Sequence, residues 1–162
     1  MIQNITIDNV EVKKSYYESG ALSGETPYVD GKKNGIEKWY YESGAIMCEI
    51  PYVDGKEYGI KKWWHYYESG ALEWEIPYVN GNRHGIVKNY YKSGALYRET
   101  PHVDGKEHGI VKEYYASGAL RCETPYVNGK KHGIDKVYNK DKANIENLAL
   151  YEEGQRVSSI KT

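Results

Sequence analysis

Three histidines, His84, His108 and His132, occupy the same place in successive copies of one repeated segment, and a row of imidazoles is raw material for a metal site. Equivalent positions of stacked hairpins lie two strands apart, roughly 9.5 Å. Every ligand of one zinc must come within about 2 Å of it. The row therefore cannot converge on a single ion, and Asn34 and Tyr58 hold the same place in the first two copies. Packing at a turn beside Gly-Ile is its expected role. Glu25, Glu49, Glu75, Glu99 and Glu123 form a second row. Two carboxylates about 6.5 to 9.5 Å apart would suit an inverting glycosidase. That chemistry needs two carboxyls with unlike environments, whereas a repeat makes them alike and gives each a candidate lysine partner. Serines such as Ser43 belong to turns, with no histidine placed to activate them. The glycine-rich turns open no helices, so they do not form phosphate loops. No catalytic residue, metal or cofactor is expected.

The elements behind these rows come from repetition. YESGALSGETPYVDGKKNGIEKWY, starting at Tyr17, returns at Tyr41, Tyr67, Tyr91 and Tyr115. One glycine per copy marks the register: Gly20, Gly44, Gly70, Gly94 and Gly118. The steps are 24 residues except one of 26, where Trp63-Trp64-His65 carries two more than its counterparts. Such a period signals a stacked array, not an ordinary globular core. The expected division is an N-terminal capping strand over 1–15, five hairpin repeats over 16–138, and a degenerate C-terminal cap over 139–162.

Each copy contains Asp-Gly or Asn-Gly, as at Asp30-Gly31 and Asn80-Gly81, the dipeptides that suit a type I′ turn with positive φ at both central residues. Glu-Ser-Gly supplies the second reversal. Alternating the two predicts an all-β chain, a repeat array of antiparallel β-hairpins forming one elongated twisted meander sheet. Pro27 and its equivalents mark a gap, bulge or edge-facing position, because proline cannot donate to a ladder. With the turn centred on Asp30-Gly31, Glu25 is expected opposite Ile36 and diagonal to Lys38.

Composition agrees with a thin sheet. The chain of 162 residues has 18 Tyr, 4 Trp and no Phe, so much of its apolar bulk carries a polar tip. A formal net charge of -1 offers no general attraction to nucleic acid or anionic lipid. The start, MIQNITIDNV, has neither the charged lead nor the apolar run of a secretory signal, and no stretch is long enough to span a membrane, so a cytoplasmic location is expected. Cys48 and Cys122, equivalent in two copies, are expected to be reduced thiols filling small gaps.

PYVNGKKHGIDKVY at Pro125 to Tyr138, together with the YESGAL and Glu-x-Pro-Tyr elements, resembles the membrane occupation and recognition nexus (MORN) repeat in its bacterial variant, over roughly Tyr16 to Tyr138. The resemblance implies a hairpin array without a catalytic domain. Bacterial proteins similar to it are described as antitoxins or immunity partners of secreted toxins, and the wider family as scaffolds or lipid binders.

Where one chain repeats itself, constant letters answer to the hairpin and changing letters are free to answer to a partner. Three places change: the pair at Ser23-Gly24, the residues after the Asp-Gly turn, and the place of Trp39, which reads Trp39, Trp63, Asn89, Glu113, Val137. All four tryptophans stand at variable or inserted positions. Tryptophan and tyrosine dominate interface energetics, and an inserted pair should bulge its strand and re-aim side chains. The expected partner-binding patch is Trp39, Trp63, Trp64 and Trp74, with Tyr58 nearby and Arg83 and Arg98 towards the rim. Its expected ligand is a protein, a toxin or a nuclease-like target. Self-association is the alternative, with membrane association its weaker form. Neighbouring Glu37, Glu57, Glu73 and Glu75 argue against a single-stranded nucleic-acid channel.

Overall fold

The computed structural model describes residues 10–64, 70–140 and 144–161. Each type I′ turn is present: Asp30 and Gly31 have φ of 48° and 75°, and Asp54, Asn80, Asp104, Asn128 and Glu153 repeat the pattern. The described residues are all-β, 18 strands in one open antiparallel sheet of hairpins. An entry strand, β1 (Val10–Tyr16), pairs with the first of five three-strand units. These are β2 (Leu22–Val29), β3 (Lys32–Lys33) and β4 (Gly35–Tyr40); β5 (Ile46–Val53), β6 (Lys56–Glu57) and β7 (Gly59–Trp64); β8 (Leu72–Val79), β9 (Asn82–Arg83) and β10 (Gly85–Tyr90); β11 (Leu96–Val103), β12 (Lys106–Glu107) and β13 (Gly109–Tyr114); and β14 (Leu120–Val127), β15 (Lys130–Lys131) and β16 (Gly133–Tyr138). A hairpin of β17 (Ile145–Glu152) and β18 (Gln155–Lys161) ends the sheet.

The register differs from expectation by two residues. Val29 pairs with Lys32 and Tyr28 with Lys33, but farther from the turn Glu25 pairs directly with Lys38 and Gly24 with Trp39. The slack is taken up at Asn34-Gly35, so Glu25 faces Lys38 squarely and not Ile36. Proline and glycine together cause the bulge. Gly35 has φ of 109°, and a Cβ there would lie 2.9 Å from Pro27 Cγ. Only glycine combines that backbone with that neighbour. Gly35→Ala is accordingly expected to destabilise the sheet by about 1–3 kcal/mol, read as a lowered thermal midpoint; an unchanged midpoint would show that the bulge relaxes freely.

With the bulge repeated in every unit, the charged row closes into an alternating ladder. Pairing runs Lys14, Glu25, Lys38, Glu49, Lys62, Glu75, Lys88, Glu99, Lys112, Glu123 and Lys136, each opposite the next. Lys38 approaches Glu25 to 3.9 Å and Lys136 approaches Glu123 to 3.7 Å. Exposed pairs of this kind contribute about 0–1 kcal/mol each, so they act mainly on register. The glutamates are held further by tyrosine hydroxyls: Tyr40 donates to Glu25, Tyr90 to Glu75, Tyr114 to Glu99 and Tyr138 to Glu123, each at 2.8 Å. This face also carries an exposed isoleucine in every unit, Ile36, Ile60, Ile86, Ile110 and Ile134, each about half accessible.

The core lies on the opposite face. Cys48, Ile50, Ile76, Val87, Val111 and Ala149 are buried there, as are Thr100, Thr124 and Glu37. Their polar groups are met locally: Thr26 and Lys33 both donate to the Glu37 carboxylate, at 2.9 and 2.8 Å, and Thr124 donates to Asp135. Units also join at their turns, where the Gly55 N–H donates to the Lys33 carbonyl, and Gly81, Gly105, Gly129 and Gly154 repeat that bond.

A candidate binding row across the sheet

Two of the three variable places noted in the sequence, the second residue of the Ser23-Gly24 pair and the place of Trp39, merge into one line. Trp39 pairs with Cys48, Cys48 with Trp63, Trp63 with Trp74, Trp74 with Asn89, Asn89 with Arg98, Arg98 with Glu113 and Glu113 with Cys122. Successive strands thus present Trp, Cys, Trp, Trp, Asn, Arg, Glu and Cys across the buried face, while the next row along the strands, on the other face, stays Lys and Glu throughout. Alternation of side chains along a strand separates the two rows.

Midway along this line the surface opens. A cleft of about 330 Å³ is lined by Lys61, Trp63, Glu73, Trp74, Ile76, Tyr78 and Arg83. A second, of about 190 Å³, shares Trp74 and Arg83 and continues over Val87, Asn89, Arg98, Thr100, His102 and Glu107. The structure therefore brings together Trp63, Trp74, Arg83 and Arg98. Trp39 lies in the same row but leans the other way: a Cβ on Gly24 would come within 3.0 Å of its ring. Tyr58 stands at the bulge by the turn, half exposed, in the row of His84 and His108, and lines neither cleft.

Trp64 takes a different place from that expected. The β7–β8 register, Ile60 with Pro77 through Trp63 with Trp74, matches β4–β5, Ile36 with Pro51 through Trp39 with Cys48. Trp64 pairs with Leu72 as Tyr40 pairs with Ile46, and the register shift before it recurs in the other units. Trp64 is thus the counterpart of Tyr40, facing the charged ladder, and the extra residues fall after it. His65 and the Glu68-Ser69 turn lie outside the described residues.

The histidine row bridges turns. His84 Nδ1 lies 3.4 Å from an Asp104 carboxylate oxygen and His132 Nδ1 lies 3.9 Å from Glu153. Among the described residues, no group of three or more His, Cys, Asp and Glu is placed to hold a metal ion. Cys48 and Cys122 are free thiols, both pushed up to about 11 chiefly by burial, which makes them poor nucleophiles.

Four segments, 12–30, 33–54, 83–104 and 107–128, match the MORN repeat variant family, together just over half of the 162 residues. The chain belongs to the MORN repeat variant family. MORN repeats are generally protein- or membrane-binding, and the repeat type is non-enzymatic. No curated protein matches the chain. Within this MORN array, the stretch between the second and third matched segments carries Trp63, Trp64 and Trp74 and supplies every lining residue of the first cleft except Arg83.

Several cleft residues were not singled out in the sequence. His102 stands where other units have Tyr28, Tyr52, Tyr78 and Tyr126, and Val87 stands where the first two units have Glu37 and Lys61. The signal was the one PHV among PYV motifs. His102 is buried, its Nδ1–H donating to the Thr100 carbonyl at 2.9 Å, which fixes the ring beneath the second cleft.

Proposed function

We propose that this MORN chain is a non-catalytic binding protein that neutralises a protein partner, as an antitoxin or immunity protein does, or as an inhibitor of a defence nuclease if the gene is phage-borne. The observation that carries this reading is the transverse row in which side chains change from strand to strand around Trp63 and Trp74, while the ladder on the other face does not change. A repeat that needed only to fold would have no reason to vary there. Large, rigid aromatic rings offer contact area at low conformational cost, and a sheet of this length has room for an interface of standard size, about 800 Å² per partner. Two free cysteines with raised thiol pKa values suit a reducing cytoplasm.

The test is affinity capture from the native host, wild type beside Trp63→Ala/Trp74→Ala, followed by activity assays on the bound protein. A stoichiometric partner that loses its toxicity or nuclease activity when bound, and is absent from the variant eluate, supports the proposal. A partner whose activity is unaffected rejects neutralisation.

The isoleucine ridge on the ladder face favours a second reading, a self-assembling scaffold. An exposed apolar side chain repeated in every unit along one face is the kind of surface that self-association covers. In that case mass by light scattering should rise with concentration, and Ile86→Glu/Ile110→Glu should return the chain to 18.6 kDa. A wild-type mass that stays at the monomer value over the whole range would sink the scaffold.

A further inference from the structure

Three of the five units carry a basic residue two places after the turn glycine, Lys33, Arg83 and Lys131, and both lysines are engaged. Lys33 is ion-paired with Glu37 four residues on, at 2.8 Å, and stands 4.7 Å over the ring of Tyr52 in the next unit. Lys131 stands 4.8 Å over Tyr151. Arg83 is the third basic residue of this row, and both of its expected partners have been replaced. Val87 stands where a carboxylate would be, and His102 where the next tyrosine would be. Arg83 is exposed, and no carboxylate or aromatic ring among the described residues engages its guanidinium. It projects where the two clefts meet, beside Trp74. Arg98 lies farther along the second cleft. Its terminal nitrogens are 3.7 and 3.8 Å from Glu107 and Glu113, while its buried Nε has no hydrogen-bond partner.

Resting on the protein-binding reading, we infer that Arg83, beside Trp63 and Trp74, receives a carboxylate from an acidic side chain of the protein partner, with an apolar neighbour of that side chain seated on the tryptophans. A planar guanidinium takes a carboxylate through two parallel hydrogen bonds. Charge decides between carboxylate and phosphate. Of the cations lining the two clefts, Lys61 is 3.6 Å from Glu57 and Arg98 lies between Glu107 and Glu113, so among the described residues Arg83 alone has no ion-pair partner and offers one positive charge. One monoanion is matched. A phosphate backbone would meet two glutamates and bring more negative charge than the clefts can neutralise.

The probe is a random twelve-residue displayed peptide library, selected in parallel on the full chain as wild type, Arg83→Gln and Trp74→Ala. Wild type is expected to enrich Asp or Glu within two positions of an aromatic or large apolar residue. Arg83→Gln should keep the apolar preference and lose the acidic one. A selected peptide should lose roughly tenfold or more in affinity on Arg83→Gln, or when its own acid becomes an amide, with no further loss when both are changed. Because Arg83 is exposed, circular dichroism should not change. Peptides without acidic preference that still need Trp74 would overturn the inference and leave the binding row standing. Peptides indifferent to both Arg83 and Trp74, or no enrichment, would overturn the inference, and indifference to Trp74 would count against the row as well. Arg83-dependent binding of a single-stranded oligothymidylate would reassign the site to phosphate and overturn it too.

Discussion

Changing Trp63 and Trp74 together to alanine is expected to weaken partner binding at least about 100-fold, while Trp64→Ala leaves it within about threefold. The contrast follows from register. Trp63 and Trp74 are cross-strand partners on the buried face and share one cleft. Trp64, one residue on, belongs with the tyrosines of the opposite face, and the Tyr41 hydroxyl donates to its backbone carbonyl at 2.9 Å, a bond that alanine keeps. Truncating one buried aromatic anchor commonly costs 2 kcal/mol or more of binding energy, and two in one cleft account for the factor of 100 at about 1.4 kcal/mol per decade. Neither tryptophan of the pair is fully buried, so the sheet should persist; far-ultraviolet circular dichroism checks this, and calorimetry with the captured partner reads the affinity. Equal losses from the two substitutions would show that the partner spans both faces.

The hairpins were legible because their turns have few solutions. Asp-Gly and Asn-Gly recur at the one place where positive φ is needed twice running, so the all-β array follows from residues such as Asp30-Gly31 and Asp104-Gly105. The register was not legible in the same way. Pro27 announced a bulge without saying which arm would absorb it, and the answer depends on a contact between Pro27 and Gly35 that spans the hairpin. Two residues of slack turned the expected diagonal between Glu25 and Lys38 into direct opposition.

The site was legible in part for a related reason. Variation among copies picked out Trp63, Trp74, Arg83 and Arg98, but which of these meet depends on pairing across strands, and the doubled tryptophan can be aligned in two ways. Only the continuous register from Gly59 to Trp64 places the insertion after Trp64. His102 and Val87 lie outside the three places where variation among the copies is most evident. Their effect is subtractive, removing the partners of Arg83, and an absence of partners appears only once the neighbours are in position.

Between pH 10 and pH 12 the sheet is expected to become less stable. Burial, reinforced by hydrogen bonds to Glu25, Glu75 and Glu99, pushes the phenols of Tyr40, Tyr90 and Tyr114 from 10.0 up to about 12. A group whose pKa is raised in the folded state holds its proton there while the unfolded chain has already released it. Its contribution is therefore complete below pH 10 and falls as pH rises towards 12. Each of these phenols is partly exposed, so solvent screening holds its contribution below that of a fully buried group, and the decline is the sum of several modest contributions. Tyr138, bonded to Glu123, and the thiols of Cys48 and Cys122 are raised as well and act in the same direction. The physical event is charge burial: a phenolate at Tyr114 would face the Glu99 carboxylate that now accepts its proton at 2.8 Å. Monitoring phenolate absorbance and circular dichroism together should show the last tyrosines ionising as the sheet melts. In Tyr90→Phe/Tyr114→Phe the neutral sheet loses two hydrogen bonds, yet its stability should decline less steeply above pH 10. An identical alkaline slope in that variant would mean that the hydroxyls do not link the ladder to pH.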